Sequence, residues 1–213
     1  MTNPVLPLGY SPLAPGQIAN VVTCLEMRGP PAPRAARPGD ARFRLVPWRA
    51  DIAAFRDLFR RVGQDWLWYS RLVMADEKLR AILESDAVDL FRLMDGDAVL
   101  GLLELDFREE GQCELSFFGV VPEAIGAGAG RYLIDRGIHL AWQRGRGQAG
   151  GKAPIERLWV HTCTFDHPNA LGFYQRAGFV PYAFMVEVQE DPRLTGVLPR
   201  HAAPHIPLVA PRT

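Results

Sequence analysis

Apolar positions in this chain alternate with polar ones or run together in short stretches, and between those stretches they recur every three or four residues. The first pattern predicts strands and the second predicts helices. Residues 43–47 read as a strand. Asp51 then caps a helical pattern through Ala54, Phe55, Leu58 and Phe59 that Gly63 ends, and a second helix is predicted over residues 66–83. From Asp86 the period changes. Residues 87–94 and 98–107 flank Asp95-Gly96-Asp97, a hairpin signal, and Glu109-Glu110-Gly111 turns the chain into a further strand over residues 113–121. Tyr132, Leu133, Ile134, Ile138, Leu140, Ala141 and Trp142 then keep helical spacing. Residues 157–164 form the next strand, residues 170–177 a short helix stopped at Gly178, and residues 179–188 the last strand. The order of elements is strand, two helices, three antiparallel strands, helix, strand, helix, strand, which predicts an α+β class.

The two ends fall outside this pattern. Residues 1–40 form a proline-rich N-terminal extension with an apolar patch over residues 18–27, expected to add an edge strand or to pack on the core. Residues 29–39 read as a linker, because Pro30, Pro31, Pro33 and Pro38 remove backbone donors and hold an extended path. The compact domain is expected over residues 41–190. The tail, 191–213, has five prolines and no periodicity, and is expected to lie across the domain as an irregular segment. With 213 residues, of which 48% are hydrophobic, the chain can bury one sizeable core.

Twenty-four basic residues balance 24 acidic ones and are spread along the chain, so the basic footprint of a nucleic-acid partner is absent. Cys24, Cys113 and Cys163 are far apart and form no C-x-x-C pair, which argues against a disulfide framework or a zinc site and for thiols in a reducing cytoplasm. No apolar run approaches the length of about 18 residues that a membrane span needs, and no secretion signal is visible, so a membrane partner is not expected.

The most informative stretch is Val120-Val121-Pro122-Glu123-Ala124-Ile125-Gly126-Ala127-Gly128-Ala129-Gly130-Arg131, between a predicted strand and a predicted helix. Its glycines would leave unhindered N–H groups at a helix N-terminus, where a phosphate can bind; a merely flexible turn is the other reading. Gly145-Arg146-Gly147-Gln148-Ala149-Gly150 matches a dinucleotide-binding pattern but follows a helix and cannot open another. Gly151-Lys152 likewise resembles the end of a P-loop, yet Arg146 stands at the first glycine position and Ala153 at the Ser/Thr position. Residues 144–154 therefore read as a polar surface loop, and a nucleotide-binding protein is disfavoured.

The order of elements, with a glycine turn before the third helix, resembles the GNAT superfamily of N-acetyltransferases over roughly residues 41–188. Pro122-Glu123 followed by Gly126, Gly128, Gly130, Arg131 and Leu133 is similar to the family's Q/R-x-x-G-x-G/A pyrophosphate loop. Ala170-Leu171-Gly172-Phe173-Tyr174-Gln175-Arg176-Ala177-Gly178-Phe179 is similar to its A-x-x-x-Y-x-K/R-x-G-F segment. The chain departs from the pattern at Ile125, where the family usually has Gln or Arg, at Ala127, where a basic or polar residue is frequent, and at His167, where asparagine is common. The resemblance implies a mixed, mostly antiparallel central sheet flanked by helices, and acetyl-CoA as acyl donor with no metal. It places the acyl-CoA site at Phe118, Gly119, Val120, Val121, Gly126, Ala127, Gly128, Ala129, Gly130, Arg131, Asn169 and Phe173. The implied acceptor is a primary amine of a small molecule or peptide, and a homodimer is compatible with it.

Acetyl transfer to an amine needs a proton acceptor, because an alkylamine of pKa about 10.4 is protonated at neutral pH. It also needs a donor for the leaving sulfur and polarisation of the thioester carbonyl. The resemblance assigns the donor to Tyr174, against the reading of an amphipathic core tyrosine. The resemblance also makes Glu114 the first choice for the base, since it falls where histone-type members of the superfamily carry a glutamate base on the fourth strand, with a solvent-facing strand carboxylate as the alternative; Glu104 is second, and a water relay is compatible with either. Strand alternation places Glu114 on one face with Ser116, Phe118 and Val120. The resemblance implies an acceptor wall at the second helix and the loop before it, so Trp66, Trp68 and Arg71 are expected either to form that wall or to start a helix whose aromatics fill the core. In His161-Thr162-Cys163-Thr164-Phe165-Asp166-His167, capping of the short helix by Asp166 is favoured over a nucleophile or a metal site. The different-class alternative is an acyl-CoA-binding regulatory module without efficient catalysis.

Overall fold

A computed structural model describes residues 5–144 and 154–211. The glycine-rich segment expected as a loop lies almost wholly outside the described residues. Seven strands form one sheet: β1 (Gln17–Met27), β2 (Phe43–Pro47), β3 (Val88–Asp95), β4 (Ala98–Asp106), β5 (Gln112–Val120), β6 (Arg157–Cys163) and β7 (Val180–Glu190), in the order β2-β3-β4-β5-β6-β1-β7. All neighbours are antiparallel except β5 and β6. The helices are α1 (Ile52–Gly63), α2 (Ser70–Val73), α3 (Asp76–Leu83), α4 (Ala129–Gln143) and α5 (Ala170–Ala177).

The sheet is covered on both faces. Leu102 pairs with Gly119, and a methyl placed on Gly119 would meet Val62 of α1 at 2.4 Å, so these positions face α1. Leu103, the next residue, lies against Gly137 of α4 on the other face. Burial on both faces explains the unbroken apolar run Val99-Leu100-Gly101-Leu102-Leu103 in β4. Asp51 caps α1 through its Oδ1, which accepts from the Ala54 N–H at 2.8 Å.

Two expectations are corrected. The patch at residues 18–27 is neither an edge strand nor an appendage: β1 lies inside the sheet, hydrogen-bonded to β6 on one side and β7 on the other. The compact unit therefore takes in residues 17–27 rather than beginning at Ala41. Its pattern favours this place, since Cys24, Leu25 and Met27 are all buried.

The single helix expected over residues 66–83 is broken. Leu67 sits at φ 56° and is buried with Ile18, Phe165 and Leu198, whereas Trp68 packs on the main core beside Phe59. The left-handed backbone at Leu67, which lets the two side chains reach these separate cores, cannot continue a right-handed helix. A short 3₁₀ turn, α2 and α3 replace the one helix, with Met74 and Ala75 extended between the last two.

The tail packs Leu198, Ala202 and Ala203 against Ile18, Leu67 and Phe165, and it is held in shape by bonds of its own. Arg193 pairs with Asp191 at 2.8 Å, both nearly sealed from solvent, and donates to the carbonyls of Ala202, Ala203, Ile206 and Pro207. No helix among the described residues is long and apolar enough to cross a membrane.

Candidate active site

Parallel pairing of β5 with β6 stops after Glu114 and Trp159, and beyond that level no ladder joins the two strands. Just there, β5 carries one extra residue: Leu105 pairs with Leu115, but the adjacent Glu104 pairs with Phe117. This bulge at Ser116 shifts the alternation by one. Glu114 therefore shares a face with Phe117 and Gly119, not with Phe118 and Val120 as simple alternation predicts. The bulge sends Phe118 to the α4 and α5 side, while Glu114 and Phe117 face α1 and α2. A cavity of about 860 Å³ runs through this opening and reaches both faces.

On the α4 side the cavity ends at the glycine turn. Gly126 and Gly128 adopt φ of 81° and 86°, a left-handed backbone that a side chain would strain. Ala129, Gly130 and Arg131 are the first residues of α4, so their N–H groups have no carbonyl one turn earlier. Gly126, Gly128, Gly130 and Arg131 line the cavity, as do Phe118, Gly119, Val120, Asn169 and Phe173. Val121 and Ala129 are instead buried in the core, 2% and 0% exposed, and Ala127 turns its N–H to the Ala124 carbonyl at 3.3 Å; none of these three is on the wall. Arg131, which the resemblance places at the acyl-CoA site, already bonds Asp40 with one nitrogen and Asp135 with another at 3.1 Å. That hydrogen bond holds the Asp40 carboxyl below the ordinary carboxylate range.

Tyr174 of α5 sits at the opening, its ring centroid 6.0 Å from Phe118, 5.7 Å from Phe173 and 5.9 Å from Phe179. Burial raises its phenol well above the usual value, and the charge of Asp166 adds to the effect, so the hydroxyl stays protonated. Asp166 does not cap α5. Its Oδ2 accepts from the Thr162 hydroxyl at 2.7 Å and the Cys163 N–H at 2.9 Å, and its Oδ1 from the Trp68 indole at 3.3 Å, so it ties β6 to the opposite wall. The cap position belongs to Asn169, with no side-chain bond. Cys163 lines the cavity, but burial pushes its thiol up to about 12, which leaves little nucleophilic thiolate.

On the α1 side, Glu114 lines the cavity with the His161 ring nitrogen 3.7 Å from its carboxylate. Burial raises its pKa above the usual carboxylate value, and His161 partly offsets the shift. Glu104 is placed differently. It is fully buried, lies off the cavity wall and bonds Arg71 at 2.5 Å, so it has no open path to a substrate. Arg71 does line the cavity, stacked over the Phe117 ring at 4.9 Å. Trp66 and Trp68 also line it; Trp66 packs on His167 and His205, and Trp68 on Phe59 and Phe117. The aromatic segment thus serves wall and core together.

Three contributors escaped sequence reasoning: Phe117, Asn20 and Glu187, all on the cavity wall. Phe117 required knowledge of the bulge. Asn20 and Glu187 stand opposite each other on β1 and β7, 167 residues apart in the chain, and no local pattern marks them.

The profile described as the acetyltransferase (GNAT) family matches residues 52–179. No curated protein sequence matches the chain. Among solved structures, a functionally unknown conserved protein from Staphylococcus epidermidis superposes with a TM-score of 0.55 at 11% identity, covering 83% of this chain and 64% of that one. A GCN5-related N-acetyltransferase from Kribbella flavida gives 0.52 at 12%, covering 85% and 63%. An aminoglycoside acetyltransferase from an uncultured soil metagenomic sample, in complex with trehalose, gives 0.50 at 17%, covering 65% and 88%. At these identities the likeness is one of fold, and the chain spans less than two thirds of the first two proteins.

Proposed function

Because the chain belongs to the acetyltransferase (GNAT) family, we propose that it is a cytoplasmic, acetyl-CoA-dependent N-acetyltransferase acting on a primary amine of a small molecule or peptide by direct attack. The observation that carries this reading is Tyr174, a phenol held protonated beside Phe118, on the wall of the same cavity that the glycine turn and Glu114 line. The residues present fit the donor. Gly126, Gly128 and the first N–H groups of α4 suit its pyrophosphate, and Phe118 and Phe173 suit its apolar arm. Bound there, acetyl-CoA supplies an activated acetyl thioester.

The chain supplies the proton transfers. Glu114, whose raised pKa makes it a stronger base than an exposed carboxylate, takes the proton from the incoming ammonium directly or through water and leaves a nucleophilic amine. As the new C–N bond forms and the C–S bond breaks, Tyr174 donates its Oη proton to the departing sulfur and regains one from the second proton that the acylated nitrogen sheds, so the phenol ends protonated. Glu104 acts through Arg71: it fixes the guanidinium that lies over Phe117 and so shapes the acceptor wall. The free thiols Cys24, Cys113 and Cys163 are consistent with a reducing compartment.

The test is calorimetry with acetyl-CoA, with ATP and NAD as controls, followed by an amine panel monitored for thiol release. Acetyl-CoA binding with turnover is expected, and Tyr174→Phe should lower kcat by about 10²- to 10⁴-fold with little change in cofactor affinity. Absence of acetyl-CoA binding refutes the proposal; binding without turnover across the panel favours the regulatory module.

A further inference from the structure

The acceptor half of the cavity is rich in charged groups, and most are already spent. Arg71 is paired with Glu104, and Arg108 with Asp106 at 2.5 Å. Arg131 is held by Asp40 and Asp135, and Arg176 stands on α5, across the sheet. Three carboxylates on the cavity wall have no Arg or Lys partner among the described residues: Asp166, which accepts from Thr162, Cys163 and Trp68, Glu114, beside His161, and Glu187.

Glu187 is part of a small built site. Asn20, 3% exposed and on the cavity wall, donates from Nδ2 to Glu187 Oε2 at 2.9 Å. That bond fixes the amide orientation, since the reverse would set oxygen against oxygen. It leaves Asn20 Oδ1 buried with no hydrogen-bond partner among the described residues. An orphaned buried acceptor is costly, and here it shares its side chain with the donor that holds a carboxylate, so the group lacking from the site is a hydrogen-bond donor carrying positive charge. Tyr69 lines the same region. Burial raises its phenol, and the charges of Glu187 and Glu190 raise it further, so it too presents a neutral hydroxyl and an aromatic face rather than a competing anion.

Asn20 and Glu187 lie on the same face as Glu114. Asn20 alternates with Val22 and Cys24, Cys24 pairs with His161, and His161 approaches Glu114. Three strand spacings separate β5 from β7, roughly 14 Å at about 4.8 Å each, and Asn20 lies six residues along β1 from Glu26, which is level with Trp159 and Glu114, so an offset of about 20 Å along the strands brings the span to roughly 25 Å. We propose that Asn20 and Glu187 form a second cation subsite, and that the acceptor is an extended molecule with two protonated nitrogens, one held there while the other reacts near Glu114. This rests on the N-acetyltransferase reading for the reacting end but not for the binding of the distal nitrogen.

The test compares α,ω-diaminoalkanes of increasing length with the matched monoaminoalkanes, in two assays. One is kcat/KM with acetyl-CoA; the other is calorimetric affinity in the presence of coenzyme A, which needs no turnover. A long diamine is expected to exceed its monoamine by about tenfold in both, the scale of one charge-assisted hydrogen bond, and the preference should shrink as salt is raised. Glu187→Gln, at an exposed position, should bring the diamine down towards the monoamine, and Asn20→Ser should do so in part. Equal behaviour of the two amines in the wild type, or a preference that survives Glu187→Gln, overturns the proposal. If no amine is acetylated but the diamine still binds through Glu187, the subsite stands and the acetyltransferase reading falls.

Discussion

Removing one member of the Arg71–Glu104 pair should destabilise the protein far more than removing both. Glu104 is 0% exposed and Arg71 7%, the two meet at 2.5 Å, and neither Glu104 Oε2 nor Arg71 Nε has another partner. In Glu104→Met the guanidinium remains between Phe117 and the Met74 sulfur with no directly bonded carboxylate, only the more distant charges of Asp106 and Glu114, a situation that typically costs about 3–5 kcal/mol. A chain of this length loses about 2–4 °C of Tm per kcal/mol, so the expected drop is roughly 6–20 °C.

Arg71→Met should cost less at low pH than at high pH. Burial already raises the Glu104 carboxyl, and loss of the opposing Arg71 raises it further. A folded-state pKa above the unfolded value favours the protonated form, so the stability contribution is fullest below the unfolded pKa and is lost as pH rises through the folded pKa. The double variant, two apolar chains of similar volume facing each other, should melt within a few degrees of wild type. Thermal unfolding followed by circular dichroism at two pH values gives the full cycle. Single variants melting within about 3 °C of wild type, or a double variant losing the sum of the two single losses, would refute the argument.

Gly128→Val forces a β-branched residue into φ 86°, at a cost of about 1–2 kcal/mol or more, and should weaken acetyl-CoA binding by roughly 5- to 30-fold in calorimetry; unchanged affinity would detach the turn from the cofactor. The acid limb of the kcat/KM profile should lie above the ordinary carboxylate value, because burial raises Glu114 and only its ionised form accepts a proton; Glu114→Gln should remove that limb and lower the rate by about 10²- to 10⁴-fold. Arg193→Met should free the tail, seen as new protease cleavage between residues 191 and 207. In the wild type the same release is expected only in acid. Burial alone would raise Asp191, but its bonds to Arg193 prevail and hold it low, so its contribution is present above the unfolded pKa and disappears as pH falls through the folded one.

The sequence by itself determined the local elements and their order. The cap at Asp51, the turn at Asp95-Gly96-Asp97, the stop at Gly178 and the glycine turn before α4 are short-range physics, set by φ preferences, capping atoms and side-chain spacing, and each is found where the pattern puts it. Tyr174 and the turn were visible because they sit in contiguous motifs.

Only the tertiary structure decided which faces met. One residue inserted at Ser116 reversed the orientation of everything after it in β5, moving Phe118 to the Tyr174 side and Phe117 to the Arg71 side. Strand alternation cannot reveal such an insertion until the partner strand is known. The place of β1 between β6 and β7 depended on long-range pairing, and with it came Asn20 and Glu187 on the cavity wall. Ion pairing settled the rest: Glu104 and Arg131 have the chemistry of a base and a phosphate ligand, and the partners Arg71 and Asp40, 33 and 91 residues away along the chain, direct them to other work.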